Sequence, residues 1–159
     1  MADKQTVDEL RPVAYKRWFD LSILLVAHLA LLPLWLVLWT IIPLLIWMGD
    51  RGTVFYRQKR IGKGGRIFTL LKFRTMVMGA DLDGPAWTTA GDPRITRIGK
   101  LLRRTALDEL PELLSIFKGD MSFVGPRALE VEEHKGMEER IPGFAQRLNC
   151  LPGLTGLAQ

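Results

Sequence analysis

Two adjacent carboxylates, Asp108 and Glu109, stand in the stretch RRTALDELPELLSIFKGDMSFVGPR, shortly after two arginines. Proline is tolerated in the first turn of a helix, so Pro111 predicts a helix that begins near Asp108 and ends before Gly119. The free amides and the dipole of a helix N-terminus favour an ionised carboxylate, which can act as a nucleophile or bind a metal ion. An Asp at this position is also typical of a helix cap that has no chemical role. The residues alone leave both interpretations open.

Arginines surround the carboxylate pair in the sequence, at Arg94, Arg97, Arg103, Arg104 and Arg127. Carboxylate oxygens are hard ligands that suit Mg²⁺. Arginines beside a carboxylate-bound Mg²⁺ are typical of sites for pyrophosphate substrates, because both neutralise charge on phosphoryl oxygens. No Ser/His/Asp arrangement and no zinc-ligand spacing in the sequence competes with this interpretation, and His134 is expected on an exposed, charged helix.

The helices and strands that hold these residues must come from a chain whose length is typical of a single domain. The 159 residues carry a net charge of +5, and residues 51–107 contain thirteen basic and three acidic side chains, whereas residues 108–159 contain five and nine. A cationic block of this kind favours anionic partners such as nucleic acid, phosphorylated ligands or anionic lipid. The single cysteine, Cys150, excludes an internal disulfide and a cysteine metal cluster, and it is compatible with a reducing compartment.

A long apolar segment, residues 21–48, contains 28 residues without a formal charge, more than the roughly 18 to 20 that a membrane-spanning helix needs. It is too long for a signal peptide, and no cleavage site follows it. Pro33 removes a backbone hydrogen bond near the middle, so the helix is expected to break there. Each half is then expected to be too short to cross, since residues 21–32 would make about 18 Å of helix against about 30 Å of hydrocarbon.

Positive charge on both flanks of this segment indicates that both of its ends lie on the cytoplasmic side. The basic residues are Arg11, Lys16 and Arg17 before it, and Arg51, Arg57, Lys59, Arg60, Lys63 and Arg66 after it. We therefore predict an α+β protein with an N-terminal flank (1–20), a re-entrant membrane helix broken near Pro33 (21–48), and a small cytoplasmic domain of amphipathic helices and a short β-hairpin at the membrane interface (49–159). A straight span with a proline kink is the alternative.

The first part of the predicted cytoplasmic domain has the pattern of a β-hairpin. Residues 53–57 and 67–74 are rich in strand-forming side chains and flank a glycine-rich turn at 62–65. The glycines lack the spacing of a phosphate-binding loop, so they are interpreted as turn residues. Lys72 and Arg74 fall on one face of the second strand, and taken alone they are typical of a solvated edge.

Five stretches occur in an order that resembles a known family: KRWFDLSILL, GTVFYRQKRIG, FTLLKFRTM, GDPRITRIGKLLRRTALDELPELLSIFKGDMSFVGPR and LPGLTGLAQ. They resemble the bacterial sugar transferases, the monotopic polyprenyl-phosphate phosphoglycosyl transferases, over about residues 15–159. Members of that family transfer a sugar 1-phosphate from a UDP-sugar to a polyprenyl (undecaprenyl) phosphate in the cytoplasmic leaflet of the bacterial inner membrane. UMP is released, and the reaction starts glycan assembly.

The resemblance implies roles for individual residues. Asp108 would attack the sugar-linked phosphoryl group and form a phosphosugar-aspartate, and Glu109, with Asp108 beside it, would hold Mg²⁺. Arg103 and Arg127 would bind phosphate, and Pro33 falls on the family's helix breaker. The expected substrate-binding set in a catalytic domain of residues 49–159 is Lys72 and Arg74 of the KFRTM motif together with Arg94, Arg97, Arg103, Arg104 and Arg127.

Two alternatives remain open at this point. One is a membrane-anchored basic protein that binds nucleic acid or anionic lipid without catalysis, although the acidic pair would repel a phosphate backbone. The other keeps the substrates but uses one direct displacement, with Asp108 and Glu109 both as metal ligands. The enzyme interpretation predicts a UDP-sugar donor, a polyprenyl phosphate acceptor and membrane lipid as partners and no nucleic acid. It leaves the identity of the sugar and homo-oligomer formation open.

Overall fold

The computed structural model describes residues 14–80 and 91–156. The fold is α+β, as predicted, and 3₁₀ turns occur in the described residues at Lys63–Gly65, Leu107–Glu112 and Phe144–Asn149. The helices and strands are α1 (Ala14–Ala30), α2 (Leu32–Asp50), β1 (Phe55–Ile61), β2 (Ile67–Phe73), α3 (Arg97–Arg104), α4 (Leu113–Lys118), β3 (Ser122–Val124), α5 (Val131–Arg140) and β4 (Gly153–Thr155). Most of the stretch DGPAWTTAGDPR, between β2 and α3, lies outside the described residues.

The apolar segment is helical on both sides of a break at Leu31. Pro33 lies in the first turn of α2, where a proline loses no helical hydrogen bond. The rings of His28 and Trp35 stack across the break, with centroids 4.5 Å apart. The predicted break near Pro33 is confirmed, whereas Pro43 lies inside α2 without ending it.

The second helix is longer than the sequence predicts. α2 contains 19 residues, which make about 28 Å of helix. Within residues 14–80 and 91–156 it is the helix that is long and apolar enough to cross a membrane by length and composition. The expectation that each half is too short is therefore wrong for α2, because the helix tolerates Pro43 and continues to Asp50.

Both apolar helices pack against the domain that follows them. α1 contributes one side chain to a hydrophobic cluster that consists of Leu24, Phe68, Leu70, Ile116, Met121 and Ala128. α2 contributes Ile42 and Ile46 to a second cluster, which also contains Phe73 and Leu102. The two halves of the apolar segment are thus anchored to one domain.

Polar contacts also tie α1 to this domain. Arg17 donates hydrogen bonds of 2.5 Å to the carbonyl oxygens of Ile116 and Phe117 in the last turn of α4. The last carbonyls of a helix lack partners from a following turn, and the negative end of the helix dipole favours a cation there. The Ile116 oxygen also accepts a hydrogen bond from the Gly119 amide. The buried Asp20 accepts a 3.3 Å hydrogen bond from the Phe123 amide in β3. α1 therefore supports the short helix that follows the carboxylate pair.

The predicted hairpin is confirmed, with β1 and β2 antiparallel and Phe55 opposite Phe73. β1 runs to Ile61, four residues beyond the predicted end of the strand. Its charged second half resembles a turn in sequence, but Arg60 is buried in the structure. Pairing with β2 and with a second segment around Glu130 explains the longer strand.

The strand β2 contributes to both hydrophobic clusters. Successive side chains of a strand point to opposite faces. Phe68 and Leu70 accordingly belong to the cluster with α1, and Phe73 belongs to the cluster with α2. β2 therefore lies between the two halves of the apolar segment, and its end points Lys72 towards the carboxylate pair.

Glycines allow two close backbone contacts. A Cβ atom at Gly99 in α3 would lie 1.9 Å from the Thr75 carbonyl oxygen, and one at Gly153 in β4 would lie 2.0 Å from the Gly125 amide nitrogen. The second contact belongs to the parallel pair of β3 and β4. Only glycine permits these approaches.

The prediction that His134 lies on a helix is confirmed, but the prediction that it is exposed is wrong. It lies on a helix, α5, but 1% of its surface is exposed. Its ring packs 5.3 Å from the ring of Phe144, which lies outside α5. The charged neighbours of His134 in sequence gave no sign of this distant aromatic partner.

We expect Gly99→Ala to lower the free energy of unfolding by about 1–3 kcal/mol, because the added methyl group meets rigid backbone. Gly136→Ala is the matched control, since Gly136 also lies in a helix but has open space around it. This change should raise the free energy of unfolding by about 0.5–1 kcal/mol. Chemical denaturation in detergent micelles measures both, and equal effects of the two substitutions would contradict the Gly99 contact.

Candidate active site

The carboxylate pair lies in the 3₁₀ turn Leu107–Glu112, which continues directly into α4. The residue before this turn, Ala106, is in the left-handed conformation with φ 54°, and no side chain caps the turn. Asp108 lies inside the turn and is 9% exposed. The alternative that Asp108 is a helix cap is therefore wrong, and another reason is needed for burying a carboxylate here.

Lys72 forms ion pairs with two carboxylates of this turn. Its Nζ lies 2.7 Å from Glu109 Oε1 and 3.0 Å from Glu112 Oε1. Glu112 is 4% exposed and was missed by the sequence analysis. The signal for it is the spacing DExxE, which places an acid on the same side of a helical turn as the pair. Lys72 is thus part of the site and not a residue of a solvated edge.

Burial raises the pKa of the Asp108 carboxyl, and the negative charge of Glu109 adds to the effect. The positive charges of Lys72 and Arg103 oppose it, but they do not reverse it. The expectation that the turn would favour the ionised form of Asp108 is therefore wrong, because desolvation outweighs the helix N-terminus. Burial raises the pKa of Glu112 as well. Burial alone would lower the pKa of Lys72, but the ion pairs with Glu112 and Glu109 raise it.

Lys72, Glu109 and Glu112 line an open cleft. Asp108 lies in the same 3₁₀ turn but is not among the residues that line the cleft. The cleft brings together three residues that the sequence analysis selected, Lys72, Glu109 and Arg127. Its other lining residues include two charged side chains that were missed, Arg60 and Glu112. The cleft therefore combines cations from three separate parts of the chain with the acidic turn.

Two further cations of the predicted set have structural partners. Arg103 donates a 2.8 Å hydrogen bond to the Thr75 hydroxyl, and its charge acts on Asp108. Arg74 forms a 2.5 Å ion pair with Asp50 at the end of α2. Arg103 thus lies near the carboxylate pair, which is called the dyad below, and Arg74 connects α2 to the segment after β2.

Arg94 is held by the carboxylate of Asp92, with Nη2 to Oδ2 at 2.7 Å and Nε to Oδ1 at 3.0 Å. It also donates to the Ala80 carbonyl oxygen. Arg97 and Arg104 are exposed on α3. Substrate binding by these three arginines stays a prediction.

The carboxylates present fit a magnesium ion. Among the residues that the structure describes, no three His, Cys, Asp or Glu side chains are placed to share one metal. Mg²⁺ does not need such a cage, because it keeps several waters and usually takes one or two protein carboxylates together with substrate phosphates. Glu109 has a 35% exposed side chain at the cleft, and Asp108 is its neighbour, so this donor set suits Mg²⁺.

Comparison with known proteins shows the family to which the chain belongs. The model of the family described as bacterial sugar transferase matches residues 11–159. The chain is 44% identical to an exopolysaccharide production protein of Rhizobium leguminosarum bv. phaseoli over 91% of its own length and 72% of the relative's. It is 42% identical to a UDP-glucose:undecaprenyl-phosphate glucose-1-phosphate transferase of Caulobacter vibrioides, over 84% of this chain and 50% of the relative. The chain belongs to the bacterial sugar transferase family and is a transferase enzyme.

A longer relative shows the same similarity. The chain is 39% identical to an undecaprenyl-phosphate glucose phosphotransferase of Komagataeibacter xylinus over 97% of its own length. It spans only 30% of that relative, so the match covers one part of a larger protein.

The Asp92–Arg94 pair predicts a pH dependence of stability. Hydrogen bonds from Arg94 lower the pKa of Asp92 to about 2. Because the folded-state pKa is below the unfolded value of about 4, the pair's contribution is complete above pH 4 and is lost as the pH falls towards 2. Asp92→Asn should therefore lower the thermal midpoint at pH 6, and its difference from wild type should shrink below pH 4. In an Arg94→Met background the Asp92→Asn difference should lose this pH dependence, and its persistence would contradict the pairing.

Proposed function

We propose that this protein transfers a sugar 1-phosphate from a UDP-sugar to a polyprenyl phosphate such as undecaprenyl phosphate, with release of UMP, as the first step of glycan assembly. Relatives named for this type of transfer support the general reaction. The observation that carries the proposal is the buried, non-capping Asp108 beside a cleft lined by Lys72, Arg60 and Arg127. A purely lipid-binding or nucleic-acid-binding basic surface gives no reason for a cleft with acidic residues.

In the first step a carboxylate oxygen of Asp108 attacks the phosphorus that carries the sugar. A phosphorus–oxygen bond forms to Asp108, the bond between the two phosphates breaks, and UMP leaves with the electron pair. In the second step an oxygen of the polyprenyl phosphate attacks the same phosphorus, and the Asp108 carboxylate is released. The cations Lys72, Arg103 and Arg127 would orient the phosphate oxygens and offset their charge.

Glu109, together with Asp108, would hold Mg²⁺ in this proposal. When bound, the ion would supply charge neutralisation at the diphosphate oxygens. Lys72 contacts both Glu109 and Glu112, so it keeps one carboxylate partner when the other is engaged. Lys72 can therefore stay at the cleft with one ion pair intact.

We also propose that the apolar segment enters the membrane and returns to the same face. Leu24 in α1 and Ile42 in α2 are buried in the same domain, although they flank the break. If residues 25–41 make one excursion from the domain, the path out and back leaves at most about 13 Å of helix in each direction, too little to cross about 30 Å of hydrocarbon. The exposed apolar side chains of this excursion, such as Leu29, Leu34 and Val37, would then contact lipid. The basic flanks support a cytoplasmic location for the domain at the bacterial inner membrane.

Asp108→Asn and Glu109→Gln should each reduce the release of UMP from a UDP-sugar with polyprenyl phosphate by at least about 10³-fold, because the first removes the nucleophile and the second removes a metal ligand. Asp120→Asn is the matched control at the end of the following helix, and it should keep wild-type turnover. Mass spectrometry of wild type with donor alone should show a phosphosugar adduct on Asp108. Full turnover of both dyad variants would defeat the proposal, and full activity with no adduct would favour direct displacement.

The re-entrant topology is tested by cysteine labelling in a Cys150→Ser background. Gln5→Cys and Lys63→Cys should react with a membrane-impermeant thiol reagent from the same side of sealed inner-membrane vesicles. Leu34→Cys, next to the break, should be protected from the reagent on both sides. If residues 5 and 63 react from opposite sides, α2 crosses the membrane and the re-entrant proposal fails.

A further inference from the structure

The arginine at position 60 is buried in the cleft although the reaction scheme gives it no task. Arg60 lies on β1, is 8% exposed and lines the same cleft as Lys72, Glu109 and Arg127. Burial of a guanidinium group beside other cations is costly unless its charge and its N–H groups are used. Burial and the charge of Arg127 both lower the pKa of Arg60. The location therefore requires an explanation.

The contacts of Arg60 hold its guanidinium group in one place. Nη1 donates a 3.0 Å hydrogen bond to the carbonyl oxygen of Ala128, the residue directly after Arg127. Nη2 donates to Gln58 Oε1 and lies 3.6 Å from Glu130 Oε1. Gln58 in turn donates to the same Glu130 oxygen, so the network is closed. It joins β1 to the segment that carries Arg127.

Three successive carbonyl groups of that segment accept hydrogen bonds from three different parts of the fold. Pro126 accepts from the Gly153 amide at 2.9 Å, Arg127 accepts from Arg147, and Ala128 accepts from Arg60. The side chain of Arg127 is itself exposed. Its location at the cleft therefore depends on how firmly this backbone is held.

We propose that Arg60 is a positioning residue for Arg127: it fixes the backbone after Arg127 so that the Arg127 guanidinium faces the diphosphate group of the donor. The inference rests on the proposed function, because it assumes a diphosphate donor in the cleft. The Nε atom of Arg60 has no partner among the described residues, so its hydrogen-bonding capacity is not exhausted.

The variants Arg60→Met and Arg60→Lys test this role. Arg60→Met keeps a long side chain but removes all of its hydrogen-bond donors. This change should weaken UDP binding, measured by calorimetry, by about 5- to 20-fold. The KM for the UDP-sugar should rise similarly, while kcat changes less than about 3-fold. Arg60→Lys keeps a charged donor and should restore at least half of the lost affinity on a logarithmic scale. Arg57→Met, an exposed arginine on the same strand, is the matched control and should bind UDP like wild type.

A double-mutant cycle separates positioning from general stability. If Arg60 acts through Arg127, Arg60→Met should change the UDP affinity less than about 2-fold in an Arg127→Ala background. Independent, additive effects would overturn the inference, and so would an unchanged KM in the single variant. If Arg60→Met does not fold, Glu130→Gln replaces it, because it loosens the same network while keeping Arg60. It should raise KM about 2- to 5-fold, with the same dependence on Arg127, and no effect would overturn the inference.

Failure of this inference differs from failure of the proposed function. If wild type neither binds UDP nor releases UMP from any UDP-sugar tested, the proposed function fails and the inference fails with it. If wild type is active and the Arg60 variants behave like Arg57→Met, only the positioning role of Arg60 is wrong.

Discussion

The fold depends on one strand, β2, that contributes to both hydrophobic clusters. Phe68 and Leu70 of β2 pack with α1, and Phe73 packs with α2. The same alternation brings Lys72 to Glu109 and Glu112. A shift of one residue in the pairing with β1 would exchange the faces, because the side-chain period of a strand is two. Hydrophobic packing of the membrane segment and the electrostatics of the cleft are therefore set by the same register.

The charged groups at the cleft are partly or fully buried, and their desolvation costs free energy that the surrounding hydrophobic packing must offset. Desolvation raises the pKa of Asp108 and of Glu112, so each carboxylate needs a cation nearby. Lys72 provides that charge: it forms ion pairs with Glu109 and Glu112, and its charge also acts on Asp108. Such an arrangement contributes little to stability by itself, but its charges are in place before a ligand arrives. The surrounding clusters of apolar residues supply the stability that this site does not.

Several sequence predictions rested on local rules and are confirmed: the α+β class, the hairpin, and the helix break near Pro33. The errors came from contacts with distant residues. His134, for example, is buried against Phe144, which lies outside α5. The cap alternative for Asp108 failed because the turn begins earlier, after Ala106. Arg60 was missed because its neighbours in sequence do not reveal that it faces the cleft. Glu112 was missed although the DExxE spacing gives a local signal for it.

By itself the sequence determined which residues can do chemistry and which segment must avoid water. The adjacent carboxylates, the surplus of arginines and the apolar run are properties of composition and local spacing. Only the tertiary structure decided which cations meet the carboxylates and whether Asp108 is buried. The physical reason is that ion pairing and desolvation act over a few ångströms in space, and residues as far apart in sequence as Arg60, Lys72 and Arg127 become neighbours only when the chain folds.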